Sequence, residues 1–135
     1  MQTLLRTIAL AACVASATAA PANGATVPFQ CRGTDRAVTR QVRFARGRTT
    51  AVIKDTVRLC TSHEYRLRAR AGQTMTVHLA AGGRTSFTLW TPTGDTPEGA
   101  DGSNDWSGEL PETGEYTLNV GTDATAAYTL EVTIR

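Results

Sequence analysis

Five segments of this sequence alternate apolar and polar side chains with a period of two. They are 65–69, 74–79, 86–90, 116–120 and 128–134. This period is typical of a β-strand that is buried on one face and solvated on the other. The pattern predicts that the side chains of Tyr65, Leu67, Met75, Val77 and Leu79 point into the core.

Turn sequences separate these segments and complete the prediction of an all-β fold. Gly82-Gly83, Pro92-Thr93-Gly94 and Pro111 to Gly114 lie between alternating runs and are typical of hairpins and sheet-to-sheet connections. Segments 41–44 and 49–59 add two or three less regular strands. A chain of 135 residues has room for one core. We therefore expect one β-sandwich, jelly-roll-like, of about eight antiparallel strands over residues 31–135.

The N-terminal residues have the composition of an export signal. Arg6 is the only charge before a short apolar run, which ends in the small residues Ala17-Thr18-Ala19. Residues 1–19 are predicted to be a signal peptide and residues 20–30 a flexible leader, so the protein is expected to be periplasmic or secreted. The alternative is a lipoprotein, because Leu10 to Cys13 resembles a lipoprotein cleavage box that would leave a lipid anchor on Cys13. No later run is long enough to cross a bilayer.

Removal or acylation of Cys13 would leave Cys31 and Cys60 as an even pair in an oxidising compartment. A disulfide between them is the expected outcome. Their spacing matches neither a Cys-x-x-Cys redox motif nor a zinc-binding pattern. The pair is therefore predicted to be structural.

The sequence contains no recognisable catalytic constellation. His63 and His78 are the only histidines, and neither lies in a known catalytic motif. His78 alternates with Val77 and Leu79, which places it on the solvated face of a strand, whereas His63 is expected in a turn beside Cys60. We predict no enzymatic activity and no cofactor.

The glycine-rich segment 94–105 gathers carboxylate and amide oxygens of the kind that Ca²⁺ prefers. Its spacing departs from the Asp-x-Asp-x-Asp-Gly loop and lacks the terminal bidentate glutamate. A solvated surface loop is the favoured interpretation and a calcium site the alternative, so no metal ligand is assigned.

Charge is divided unevenly along the chain. Residues 31–84 carry a net charge of +9 and residues 85–135 a net charge of −8. Because strands from both halves interleave in a sandwich, we expect much of this charge to be neutralised in cross-strand pairs. The remainder would form an acidic surface, around Glu109, Glu112 and Glu115, that attracts a cationic partner. Nucleic acid is not expected, since no stacking aromatic residues lie among the arginines.

The order of these strands and turns resembles a known family. The succession runs from Tyr65-Arg-Leu-Arg-Ala69 through Ala71-Gly72-Gln73 and Pro92-Thr93-Gly94 to Trp106-Ser-Gly-Glu-Leu-Pro111, Thr113-Gly-Glu-Tyr116 and Tyr128-Thr-Leu-Glu-Val-Thr-Ile134. It is similar to the periplasmic inhibitors of g-type lysozyme over about residues 42–134. More loosely, it resembles the β-sandwich domains that follow secreted bacterial peptidases.

The first resemblance implies an inhibitor that blocks the cleft of a muramidase with a protruding loop. Lysozyme inhibitors of this kind use a Ser-Gly-x-Tyr type loop, and the matching residues here are Thr113, Gly114, Glu115 and Tyr116. The implied partner is a lysozyme of the g type. The alternative at these positions is a turn with a core tyrosine, because Tyr116 continues the inward alternation of Leu118 and Val120. The alternative function is a non-catalytic envelope-binding or carbohydrate-binding module.

Overall fold

The computed structural model describes residues 36–135, which form eight β-strands. The strands are β1 (Arg36–Gln41), β2 (Thr50–Val57), β3 (Thr61–Ala69), β4 (Thr74–Ala81), β5 (Ser86–Trp90), β6 (Asp105–Glu109), β7 (Gly114–Gly121) and β8 (Ala126–Ile134). They are arranged in two four-stranded sheets, in the orders β1-β3-β7-β5 and β2-β8-β4-β6. The predicted all-β fold of eight strands is confirmed.

The strands pair in the pattern of a jelly roll. β2 pairs with β8, β3 with β7 and β4 with β6, as if one long hairpin with its bend near β5 had been rolled into two sheets. One feature differs from the expected antiparallel arrangement, since β1 joins the edge of its sheet parallel to β3. The connection between β1 and β3 contains β2 of the opposite sheet, which allows the chain to return in the same direction.

The core lies between the sheets and is built from the alternating positions. All five side chains expected to point inward from 65–79 are buried, as are Tyr116, Leu118 and Val120. Phe87 and Leu89 of β5 and Leu130 and Val132 of β8 complete the two facing layers. The period-two pattern thus specifies the buried face of both sheets.

One local expectation was wrong, and one strand was not predicted. Segment 41–44 is not a separate strand: β1 ends at Gln41, and the backbone N–H of Val42 adds one more bond to β3, at the carbonyl of Arg66. β6 was missed because the sequence Asp-Trp-Ser-Gly-Glu contains one large apolar residue and no alternation. Its strand conformation is imposed by pairing with β4, in which Val77 lies opposite Trp106.

The predictions for the N-terminus fall outside the described residues. They are the signal peptide 1–19, the leader 20–30, the lipid anchor at Cys13 and the participation of Cys31 in a disulfide. Cys60 lies in the turn between β2 and β3 with φ 63°, and its pairing with Cys31 stays a prediction. Within residues 36–135, no helix is long and apolar enough to cross a membrane.

Candidate functional site

Thr113 lies in the turn before β7 and exposes a hydroxyl group at one end of the sandwich. Its Oγ1 accepts a hydrogen bond from the backbone N–H of Ala71 at 3.0 Å. No group among residues 36–135 accepts the proton of this hydroxyl. The side chain is therefore held in place through its oxygen and is free to donate a hydrogen bond outward.

Gly114 is required by a close approach rather than by a turn conformation. A Cβ at this position would lie 2.7 Å from Cγ and 2.9 Å from Cβ of Pro92. Gly114 is also absent from the residues with positive φ. The glycine thus brings the Thr113 turn against the loop that follows β5, and any side chain would push the two apart.

Glu115 extends from the outer face of the first sheet into a group of arginines. One of its carboxylate oxygens lies 3.8 Å from a guanidinium nitrogen of Arg66, and in the strand register it stands opposite Arg68. Arg66 also lies 3.7 Å from Glu64. These exposed pairs balance the local charge, so the expected acidic surface does not form around Glu115.

Tyr116 belongs to the core, as in the alternative interpretation of its sequence pattern, and its part in binding a partner stays a prediction. Its ring is fully buried, while its hydroxyl donates to the carbonyl of Glu112 at 2.6 Å and accepts from the Glu112 N–H at 3.1 Å. A tyrosine hydroxyl bonded to backbone a few residues upstream is the tyrosine corner of β-sandwiches. Tyr116 therefore fixes the turn that carries Thr113.

An open groove of about 630 Å³ runs beside the exposed part of the predicted site. Three of the four predicted residues line it, together with residues from the end of β3 and from the turn to β4: Arg68, Ala69, Arg70, Gln73, Thr113, Gly114 and Glu115. We call this the Thr113 groove. It combines a hydroxyl donor with two guanidinium groups, which suits the binding of a carboxylate.

The sequence did not indicate Arg68, Arg70 or Gln73 as site residues. They precede Thr113 by about 40 positions and reach it because β3 pairs with β7. The backbone N–H of Gly72 also donates to the carbonyl of Leu110 at 2.9 Å, which joins the turn from β3 to β4 to the end of β6. A local motif contains no information about such a contact.

A second open groove, of about 570 Å³, adjoins the first and shares Glu115 with it. Its walls come from the outer face of the first sheet and from the loop after β5: Glu64, Arg66, Trp90, Thr91, Pro92, Thr93, Gly94, Glu115 and Thr117. We call this the Trp90 groove. Thr93 Oγ1 donates to Glu112 Oε1 at 3.0 Å, which ties the loop after β5 to the Tyr116 corner.

The two histidines differ in environment. His78 is exposed on β4, as expected, and pairs with Asp105. His63 was expected in a turn but lies buried within β3, where its Nδ1 is 2.7 Å from the Tyr128 hydroxyl. The Tyr128 hydroxyl is also hydrogen-bonded to that of Tyr65. His63 is thus part of a buried polar network between the sheets.

Burial lowers the pKa of His63. Asp55, whose carboxylate is 3.5 Å from Nδ1, opposes this effect, and Arg40, paired with Asp55, adds to it. The unfolded chain accepts a proton near pH 6.5, whereas the folded chain accepts it only at lower pH. The part of the stability that depends on neutral His63 is therefore fully present above pH 6.5, and it is lost as the pH falls through and below this value.

We expect the melting temperature to fall between about pH 7.5 and 5, and we expect His63→Gln to reduce this fall. Val52→Ala is the control, because it removes an exposed side chain that has no titratable group, and it should keep the pH dependence of the parent. Circular dichroism melts of the three proteins provide the measurement. Equal slopes for the parent and His63→Gln would contradict the assignment to His63.

The acidic segment 94–105 is organised by hydrogen bonds within the protein. Thr88 Oγ1 donates to Asp101 Oδ1 at 2.9 Å, and the N–H of Leu89 donates to the carbonyl of Ala100 at 2.9 Å. The segment thus continues the sheet edge at β5, where Phe87 forms a bridge with Ser103. Within residues 36–135, no group of three or more side chains is placed to hold a metal ion.

The structure resembles three solved structures of lysozyme inhibitors. The PliG of Aeromonas hydrophila, a periplasmic inhibitor of g-type lysozyme, is 28% identical with a TM-score of 0.67, over 75% of this chain and 99% of that one. A mutant of the Escherichia coli PliG has 20% identity and a TM-score of 0.57, over 74% and 99% of the two chains. The Salmonella Typhimurium PliG has 20% identity and a TM-score of 0.56, over 72% and 97%.

No protein-family model matches the sequence, and no curated protein matches it. The predicted resemblance to the g-type lysozyme inhibitors is confirmed by the solved structures. The two structures at 20% identity support the fold, and the one from Aeromonas hydrophila adds the stronger sequence similarity.

Proposed function

We propose that this protein is an exported, non-catalytic inhibitor of g-type lysozyme in the periplasm. The observation that carries the proposal is the match to the Aeromonas hydrophila inhibitor, at 28% identity over 99% of that chain. The predicted signal peptide at 1–19 supports the same compartment.

The Thr113 groove supplies the chemistry for contact with a muramidase cleft. Glycoside hydrolases generally cleave their substrates with a pair of carboxyl groups. The Thr113 hydroxyl has its proton available, and Arg68 and Arg70 line the same groove. Together they offer donors to carboxylates of the enzyme, while the exposed Thr113 turn enters the cleft and excludes substrate.

The roles of the four motif residues are separate in this proposal. Thr113 and Glu115 contact the enzyme, and Gly114 and Tyr116 position them. Gly114 allows the turn to pack on Pro92, and the Tyr116 hydroxyl holds the backbone of Glu112. A rigid turn loses little conformational entropy on binding, which favours affinity.

The experiment is a titration of the mature protein into cell-wall lysis assays with a g-type and a c-type lysozyme. We expect inhibition of the g-type enzyme, and Thr113→Ala should weaken it by about fivefold or more, since a contact hydrogen bond contributes about 1 kcal/mol. Thr56→Ala, which removes an exposed hydroxyl from β2, is the control and should inhibit like the parent.

Melting temperatures of both variants within a few degrees of the parent would show that folding is intact. A parent that leaves the g-type enzyme fully active would overturn the proposed function. Equal inhibition by Thr113→Ala and the parent would instead remove Thr113 from the site.

A further inference from the structure

Trp90 exposes a large apolar surface next to the proposed site. Its relative exposure is 42%, and Val52, on the other sheet, is the only other large hydrophobic residue so exposed within residues 36–135. Trp90 ends β5, the edge strand of the first sheet, and forms one wall of the Trp90 groove. An indole at a groove is the kind of side chain that often dominates the binding energy of protein–protein interfaces.

The strand register sets a guanidinium group across from this indole. Trp90 pairs with Thr117, and Thr117 pairs with Arg66, so the three residues form one row across β5, β7 and β3. Neighbouring strands are about 4.8 Å apart, which separates the two outer backbones by roughly 10 Å. The short side chain of Thr117 lies between them and forms the floor of the groove.

Arg66 is flanked by two carboxylates in the Trp90 groove. Glu64 and Glu115 lie 3.7 Å and 3.8 Å from its guanidinium nitrogens. Both carboxylates line the same groove.

The Trp90 groove adjoins the Thr113 groove at Glu115, which lines both. A partner seated on Thr113 would therefore lie beside the groove that contains Trp90. Tryptophan and arginine are the residues most enriched among those that dominate protein–protein binding energy. The groove is also open and flanked by charged side chains, whereas small-ligand sites are enclosed and largely apolar.

We propose that the Trp90 groove is a second contact region for the same lysozyme. In this region Trp90 packs against an apolar side chain at the rim of the enzyme cleft, and Arg66 contacts an enzyme residue beside that side chain. This inference rests on the proposed function and extends it from the Thr113 turn to the outer face of the first sheet. Thr113 blocks the cleft, and Trp90 adds affinity.

The test compares the dissociation constants of variants for g-type lysozyme by calorimetry. Trp90→Ala should raise the constant by at least about tenfold, the loss typical of a dominant interface residue. Val52→Ala is the matched control and should bind like the parent, because Val52 lies on the other sheet. Thr117→Arg fills the floor of the groove without entering the core and should also weaken binding about tenfold, which protects the test if Trp90→Ala folds poorly.

Three results would overturn this inference. If Trp90→Ala and Thr117→Arg bind the lysozyme as tightly as the parent does, the Trp90 groove is not part of the contact, and the proposed function stays intact. A parent that does not bind lysozyme would remove both. Quenching of the parent's fluorescence by N-acetylglucosamine oligomers without lysozyme, absent in Trp90→Ala, would identify the groove as a sugar site instead.

Discussion

Replacement of Tyr116 by alanine should destabilise the protein by about 3–5 kcal/mol, the cost of removing a large aromatic ring from a packed core. The ring is fully buried between the sheets. Chemical denaturation at a pH above 7 gives the free energy of unfolding without a contribution from protonation of His63. A loss below about 1 kcal/mol would contradict the core assignment.

Tyr116→Phe separates the ring from its hydroxyl. It keeps the packing but removes both hydrogen bonds to the backbone of Glu112, so we expect a loss of about 1–2 kcal/mol. Because these bonds fix the turn before Thr113, inhibition by Tyr116→Phe should weaken even where the variant is fully folded. A variant as stable as the parent would mean that the corner contributes nothing.

Substitution of Gly114 should have the second large effect. In Gly114→Ala the new Cβ would meet the Pro92 ring at 2.7 Å, and this ring cannot rotate away. We expect a loss of about 1–3 kcal/mol from this overpacking. Gly114 lines the Thr113 groove and Pro92 lines the Trp90 groove, so binding to the lysozyme should weaken as well.

Gly121→Ala is the matched control for Gly114→Ala. Gly121 ends the same strand, and a Cβ there would meet nothing within 4 Å. Its stability should stay within about 1 kcal/mol of the parent. Similar losses in the two variants would show that strand entropy, and not the Pro92 contact, determines the cost.

The buried face of the sandwich was predictable because its physical cause is local. Alternation in β3, β4 and β7 specifies which side chains face the core, and the positions predicted to do so within 65–79 and 116–120 are buried. β6 was not predictable, since Asp105–Glu109 becomes a strand only through its partner β4. The same holds for His63, whose burial depends on Tyr128 of the opposite sheet.

The candidate site was predictable only in part. Resemblance indicated residues 113–116, and the alternation alone indicated that Tyr116 would point inward. The arginines of the Thr113 groove and the indole of Trp90 are brought to the site by pairing of β7 with β3 and β5. Strand pairing also brings opposite charges together. Arg66 pairs with Glu115, and Arg84 lies 3.5 Å from Asp123. The positive and negative halves of the sequence are therefore partly neutralised in the fold.

Amide hydrogen exchange of this protein, alone and with an excess of g-type lysozyme, tests the central claim most directly because it reports partner and site together. The account predicts slower exchange at 113–115 and at 93–94 in the mixture, with unchanged exchange at 52–54 on the other sheet. Unchanged exchange throughout the chain, or protection confined to 52–54, would contradict it.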